Sequence, residues 1–299
     1  VTIADLIAAG PTRSLEFFPP RTPEAEAQFT DAVERLAALG PSFASVTYGA
    51  LGSTQARTRD IVVGMNADRP FPTMAHLTCI GHTRAQIAAL LDQYAAAGVR
   101  DILALGGDAP AGGGHGGGDF THAIELVELV RAHPGRFGVG VAAHPELHPR
   151  SPDRASDRRH LAAKLALADF AVTQFFFRVE DYLRLRDELA ALGCHRPVVP
   201  GVMPFVSAVG LRRMADMNGT AIPPALAARL ETADAAEVVR LGVETATALC
   251  HELTEAGVPG LHLYTLNRAE PVTRIWEQLG PVGTPPAHAA GPGEGRHGG

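Results

Sequence analysis

Glu16 is the residue whose chemistry most needs explaining. It sits in Ser14-Leu15-Glu16-Phe17-Phe18-Pro19-Pro20, an apolar run ended by two prolines. In a strand, side chains alternate faces, so Leu15 and Phe17 point one way and Ser14, Glu16 and Phe18 the other. A carboxylate in such a run is costly unless it is paired or used. Seven more polar or unusual residues stand at the ends of later β-rich runs: Thr47, His76, Asp108, His144, Gln174, Pro204 and Arg268. The first six steps of this series each cover roughly 30 residues, the size of one strand–helix unit. The last step is about doubled, and extra helical sequence between 208 and 256 accounts for it. Brought together, an acid, an amide, two imidazoles, a second carboxylate and a guanidinium could bind a polar ligand and move a proton on it.

The elements that would bring them together are short β-rich runs at 14–18, 45–47, 73–77, 102–105, 138–142, 170–173, 198–202 and 260–264, each with helical sequence after it. Glu24 to Leu39 carries Phe29, Val33, Leu36 and Leu39 at helical spacing, and Thr83 can cap a helix with Ile87, Leu90, Leu91 and Tyr94 inward. Strict alternation implies a parallel sheet, and eight units imply a closed, single-domain (β/α)8 TIM barrel. An open doubly wound sheet is the runner-up. In a barrel the eight stations ring the C-terminal mouth, where barrel enzymes keep their sites. The barrel is expected to span residues 1–280. Residues 281–299 are Pro, Gly, Ala and His without periodicity and read as a disordered tail, and the glycines of 112–118 read as a flexible loop.

Composition narrows the class. The chain has 299 residues, 46% hydrophobic and 19% charged, with a net charge of -6. It has no basic footprint for nucleic acid. No apolar run approaches the roughly 20 residues of a membrane span, and no leader pattern is read at the start. Cys79, Cys194 and Cys250 are far apart and odd in number, which fits a reducing cytoplasm.

Each station also has a plain structural reading. Glu16 could pair with Arg268 or Arg21. His76 could be a core histidine bonded to a carbonyl, and Asp108 a turn residue after Gly106-Gly107. Asp157, His160 and Lys164 recur at spacings of three and four; on sequence alone a solvated helix face is favoured slightly over a ligand-facing edge. Gly112-x-Gly114-x-x-Gly117 matches the dinucleotide fingerprint only formally, because it does not join a strand to a helix. His144 and His148 are four apart, but Pro145 and Pro149 forbid a helix there, which weakens a metal reading.

A family likeness runs through the whole series. The motifs at 14–20, Val46-Thr47-Tyr48-Gly49-Ala50, Ala75-His76-Leu77-Thr78-Cys79, Gly107-Asp108, Thr173-Gln174-Phe175-Phe176-Phe177, Pro200-Gly201-Val202-Met203-Pro204 and Leu263-Tyr264-Thr265-Leu266-Asn267-Arg268 resemble the bacterial 5,10-methylenetetrahydrofolate reductases, from about residue 2 to 280. The resemblance implies a cytoplasmic oxidoreductase of one-carbon metabolism and methionine biosynthesis, with more than one subunit. Such an enzyme holds FAD non-covalently, takes hydride from NADH or NADPH, and reduces methylenetetrahydrofolate to 5-methyltetrahydrofolate. It makes Glu16 the general acid and places Asp108 near both flavin and folate. Gln174 and Arg268 fall at folate-contacting positions. Thr47, His76, Gly107, His148, Asp157, His160 and Lys164 fall at flavin-contacting ones, as does His144, where an aromatic residue is usual. Gly106 and Ala163 stand where a basic residue is common, and Gly210 replaces a folate-contacting Gln. These departures keep open a flavin-free enzyme that passes hydride directly from NADH to folate. The imidazoles with Asp108 keep open a metal-dependent barrel hydrolase, although no metal is expected.

Overall fold

The structure is a computed structural model that describes residues 1–48, 53–107 and 118–282. Asp108, the 112–117 part of the glycine loop and the tail from 283 lie outside the described residues. Strands β1 (Thr12–Phe17), β2 (Phe43–Val46), β3 (Thr73–Thr78), β4 (Asp101–Leu105), β5 (Gly138–Ala143) and β6 (Phe170–Thr173) pair in parallel, each with the next. All six follow their sequence-read positions within two residues at each end. β2 starts two residues earlier and stops one short, so Thr47 lies just past it. The runs are nearly continuous in buried apolar residues, as a sheet covered on both faces requires.

The ring closes through a broken strand. Pro200 divides the seventh strand into β7 (Val198–Val199), which pairs with β6, and β8 (Gly201–Val202), which pairs with β9 (Gly260–Tyr264). β9 pairs in turn with β1. Proline has no N–H to give the ladder, yet its carbonyl still accepts from His262 N at 2.9 Å. The sheet is therefore a barrel, as the spacing predicts.

Among the described residues ten helices follow or connect the strands: α2 (Pro23–Ala37), α3 (Ser53–Asp68), α4 (Arg84–Ala96), α5 (Ala123–Ala132), α6 (Arg154–Leu167), α7 (Val179–Ala191), α8 (Ala208–Asn218), α9 (Pro224–Thr232), α10 (Ala235–Glu255) and α11 (Ala269–Leu279). They cover the outward strand residues, among them Leu15 and Phe17. Among the described residues no helix is long and apolar enough to cross a membrane.

One more helix, α1 (Ile3–Ala9), precedes the barrel and is absent from the sequence reading. Seven residues are too few to show a period, but Thr2 and Asp5 form a capping box that starts it. Its Ile3 and Ile7 pack with the inward Phe43, Met74, Leu103, Phe170, Val172 and Val199. This apolar plug fills the N-terminal end of the barrel. The polar inward residues are left toward the mouth.

The plug is tied down by Asp101, whose Oδ1 accepts from Ile3 N at 2.9 Å. A Cβ on Gly138 would stand 2.3 Å from that oxygen, so only glycine leaves room for the carboxyl. Oδ2 of Asp101 has no partner, and burial pushes the pKa up to about 7. A carboxyl raised in the folded state binds more protons folded than unfolded between its two pKa values. Stability should therefore fall as pH rises from about 4 to 7, by about 1.4 kcal/mol for each unit of elevation. Asp101→Asn keeps the acceptor and removes the charge. Chemical denaturation should find it more stable than wild type at pH 8, with a flatter slope between pH 4 and 7; equal stability at pH 8 would refute the assignment.

Candidate active site

Glu16 leaves the end of β1 on the inward face, one register step above Ser14. Its carboxylate meets neither Arg268, which is exposed at the start of α11, nor Arg21, which is also exposed. It meets two buried imidazoles. Oε2 lies 3.2 Å from Nε2 of His262 on β9 and 3.4 Å from Nε2 of His76 on β3. The other ring nitrogen of His262, Nδ1, lies 2.8 Å from Ser14 Oγ. Ser45 Oγ on β2 is 3.5 Å from Nε2 of the same ring. Four strands thus build one polar cluster above the plug. His76 is held well below the usual imidazole range, chiefly by burial, with Glu16 opposing the shift.

The backbone around Glu16 is fixed from the turn that follows β9. Thr265 Oγ1 donates to Glu16 O at 2.7 Å. Asn267 Nδ2 donates to Phe18 O at 2.8 Å and its Oδ1 accepts from Phe18 N at 3.1 Å. Leu266 and Asn267 both adopt positive φ to make this turn. Tyr264 faces the cluster but gives its hydroxyl to Thr173 O at 2.6 Å.

A second group gathers at the ends of β4 and β5. His144 and His148 meet edge to face with ring centroids 4.5 Å apart. Burial, then the nearby His148, Lys164, Arg158 and Arg150, push His144 down to about 3, so it is a neutral ring at physiological pH. Lys164 reaches back from α6 to Ala142 O at 3.2 Å; burial lowers its pKa and Asp157 opposes that. Asp157 accepts from Ser151 Oγ at 2.9 Å and from Arg158 at 2.5 Å. His160, on the same helix, is exposed and does not join them. The three residues are therefore not one solvated stripe: the ends of the series turn inward and the middle turns out.

Gly107 has φ +84, and its carbonyl accepts from Arg150 Nη2 at 3.2 Å. The same guanidinium stands 3.7 Å from where a Cβ on Gly106 would be. The loop after β5 thus supplies a cation beside a position that has no side chain. Thr47 is held by its backbone, donating to Phe17 O at 2.9 Å and accepting from Thr58 at 3.3 Å. Gln174 is half-buried at the end of β6, where its Oε1 accepts from Asn218 Nδ2 at 3.3 Å. Asp108 lies outside the described residues.

Sequence reasoning missed His262, Arg150 and Arg158. The pattern Leu261-His262-Leu263-Tyr264 carries the strand alternation that turns His262 inward. Arg158 shares a helical face with Leu161 and Leu165, which marks it for burial.

A parallel barrel whose mouth holds a carboxylate between buried imidazoles, with Lys164, Arg150 and Arg158 gathered at the neighbouring strand ends, has the layout of a barrel enzyme's site. Comparison with known proteins gives the family. Residues 2–280 match the sequence pattern of the family described as methylenetetrahydrofolate reductase. The 5,10-methylenetetrahydrofolate reductases of Salmonella typhimurium and of Escherichia coli are each 38% identical over 270 residues, covering 89% of this chain and 90% of theirs. The chain belongs to the methylenetetrahydrofolate reductase family, oxidoreductases that reduce methylenetetrahydrofolate in one-carbon metabolism. That membership sets aside the barrel-hydrolase alternative. Among solved structures, a Clostridium thermocellum protein that binds two copies of 5-methyl-5,6,7,8-tetrahydrofolic acid has the same fold. Its TM-score is 0.66 at 14% identity, over 92% of this chain and 96% of that one.

Proposed function

We propose that this protein reduces 5,10-methylenetetrahydrofolate to 5-methyltetrahydrofolate at the barrel mouth, with non-covalently held FAD, NADH or NADPH as hydride source, and Glu16 as general acid. The observation that carries the reading is Glu16 itself: a carboxyl at the mouth, backed by His262 and His76, with no Arg or Lys paired to it among the described residues. A folate ring nitrogen must gain a proton as the bridging carbon is freed for reduction, and a carboxyl in that position can give it. The catalytic unit is residues 1–280, and it works in the cytoplasm.

The residues present fit a flavin dinucleotide. The pyrophosphate needs cations, and Lys164 and the Arg150 guanidinium beside Gly106 provide them although Gly106 and Ala163 do not. Thr47, His76, Gly107, Asp108, His144, His148, Asp157, His160 and Lys164 would hold the cofactor, which when bound supplies a store for one hydride between the two substrates. His144, a neutral ring at physiological pH, and His76, pushed toward its neutral form by burial, would bring no added positive charge to a bound cofactor. Asp108, Gln174 and Arg268 would orient the folate, the amide of Gln174 reading the hydrogen-bonding edge of the pterin and Arg268 its carboxylates.

The visible spectrum of the purified protein tests the cofactor. Flavin bands, or saturable binding of added FAD with a shifted spectrum, are expected. Folate reduction by a colourless protein that binds no FAD would instead establish direct transfer from NADH.

A further inference from the structure

The hydrogen-bond accounting around His262 says which way a proton lies, and the proposed acid role of Glu16 depends on it. Ser14 Oγ donates to Leu261 O at 3.2 Å. Given to the ring instead, its one proton would leave the ring proton on Nε2; with it given to that carbonyl, the oxygen accepts across the 2.8 Å contact with His262 Nδ1, which assigns the ring proton to Nδ1. Nε2 is left as a bare lone pair, 3.2 Å from Glu16 Oε2. A bare ring nitrogen against an ionised carboxylate oxygen repels; the contact is attractive only with a proton between them, on the carboxyl. The ring cannot turn away, being fully buried and stacked on Phe43 with centroids 6.1 Å apart.

No other described group competes. The titratable groups facing Glu16 are His262 and Tyr264 from β9 and His76 from β3. Tyr264 has given its hydroxyl to Thr173 O. His76 Nε2 makes no hydrogen bond and is pushed toward its neutral form by burial, so it adds no cation that would hold Glu16 ionised. Ser45 Oγ, at 3.5 Å, is the more distant partner of Nε2.

We propose that His262, locked by Ser14 in the tautomer with its proton on Nδ1, is the acceptor that keeps a proton on Glu16 and so sets it as an acid. His262 and Ser14 are positioning residues, since neither needs to touch substrate. The inference deepens the proposed function and rests on it for the meaning of the proton, though not for its location.

Two measurements test it. Nitrogen NMR of ring-labelled protein, with the His262 signals assigned by their loss in His262→Gln, should show a neutral ring protonated at Nδ1 and bare at Nε2 near pH 7. An imidazolium, or a ring protonated at Nε2, overturns the proposal. In Ser14→Ala the ring loses its acceptor, so the tautomer should reverse and Nε2–H should donate to an ionised Glu16. Folate reduction should then fall by at least about tenfold, part of the roughly 10²–10⁴ that a positioned acid contributes, with flavin reduction by NAD(P)H as the control for folding and loading. Reversal with wild-type folate reduction would also overturn it. A wild-type protein that reduces no folate would fail the functional reading instead, and the NMR result would still decide where the proton lies.

Discussion

Glu16→Gln should lower folate reduction by about 10²–10⁴-fold, the usual worth of a positioned general acid, while NAD(P)H still reduces the bound flavin at close to the wild-type rate. The substitution keeps the side-chain length and removes only the transferable proton. The amide can still meet Nε2 of His262, donating to it, so the cluster of four strands should stay assembled and the melting temperature should change little. The split between the two half-reactions is the diagnostic part. In the proposed scheme, hydride arriving from NAD(P)H needs no acid at this position, whereas opening of the folate ring does. Anaerobic stopped-flow spectroscopy measures both halves on one sample. Equal losses in the two halves would make Glu16 a structural residue, and folate reduction at the wild-type rate would end its assignment as the acid.

Arg158→Ala should destabilise the protein by about 3–5 kcal/mol, the range for breaking a buried ion pair from one side. Its guanidinium is nearly inaccessible and spends its donors on five acceptors. It bonds Asp157 at 2.5 Å, Glu188 at 2.7 Å, and the carbonyls of His144, Pro145 and Glu146 at 3.1, 2.8 and 3.2 Å. Truncation leaves the buried Asp157 without its strongest partner and frees the segment that carries His144 and His148. The effect should therefore appear twice: as a lower denaturation midpoint with an unchanged slope, and as weaker FAD binding at temperatures where the fold persists. Arg158→Lys should recover only part of either loss, because one ammonium cannot span five acceptors. A variant as stable as wild type would show that the network contributes nothing net.

The barrel was legible because its signal repeats. Each strand end carries a chemically distinct residue, and roughly 30-residue steps between them leave room for one helix. Leu15 and Phe17 against Ser14 and Glu16 sort correctly by alternation alone. What stayed hidden depends on partners far apart in the chain. His262 and Glu16 are separated by 246 positions and meet only because β9 closes against β1. Nothing in Leu261-His262-Leu263 distinguishes a proton acceptor from a core histidine until Ser14 is seen beside it. The α1 plug was too short to show a period, and the break at Pro200 requires knowing that the two halves of one strand pair with different neighbours. The cation beside Gly106 is the clearest case. A residue-by-residue reading records a missing side chain there, and the structure brings Arg150 in from another loop.

In the proposed reaction one mouth serves two substrates in turn, with Glu16 acting on the second. Initial rates with NAD(P)H and methylenetetrahydrofolate varied together test it most directly. Parallel lines in double-reciprocal form are expected, with 5-methyltetrahydrofolate as product, because under this reading the first substrate leaves before the second binds. Intersecting lines, which require both substrates bound at once, would contradict it.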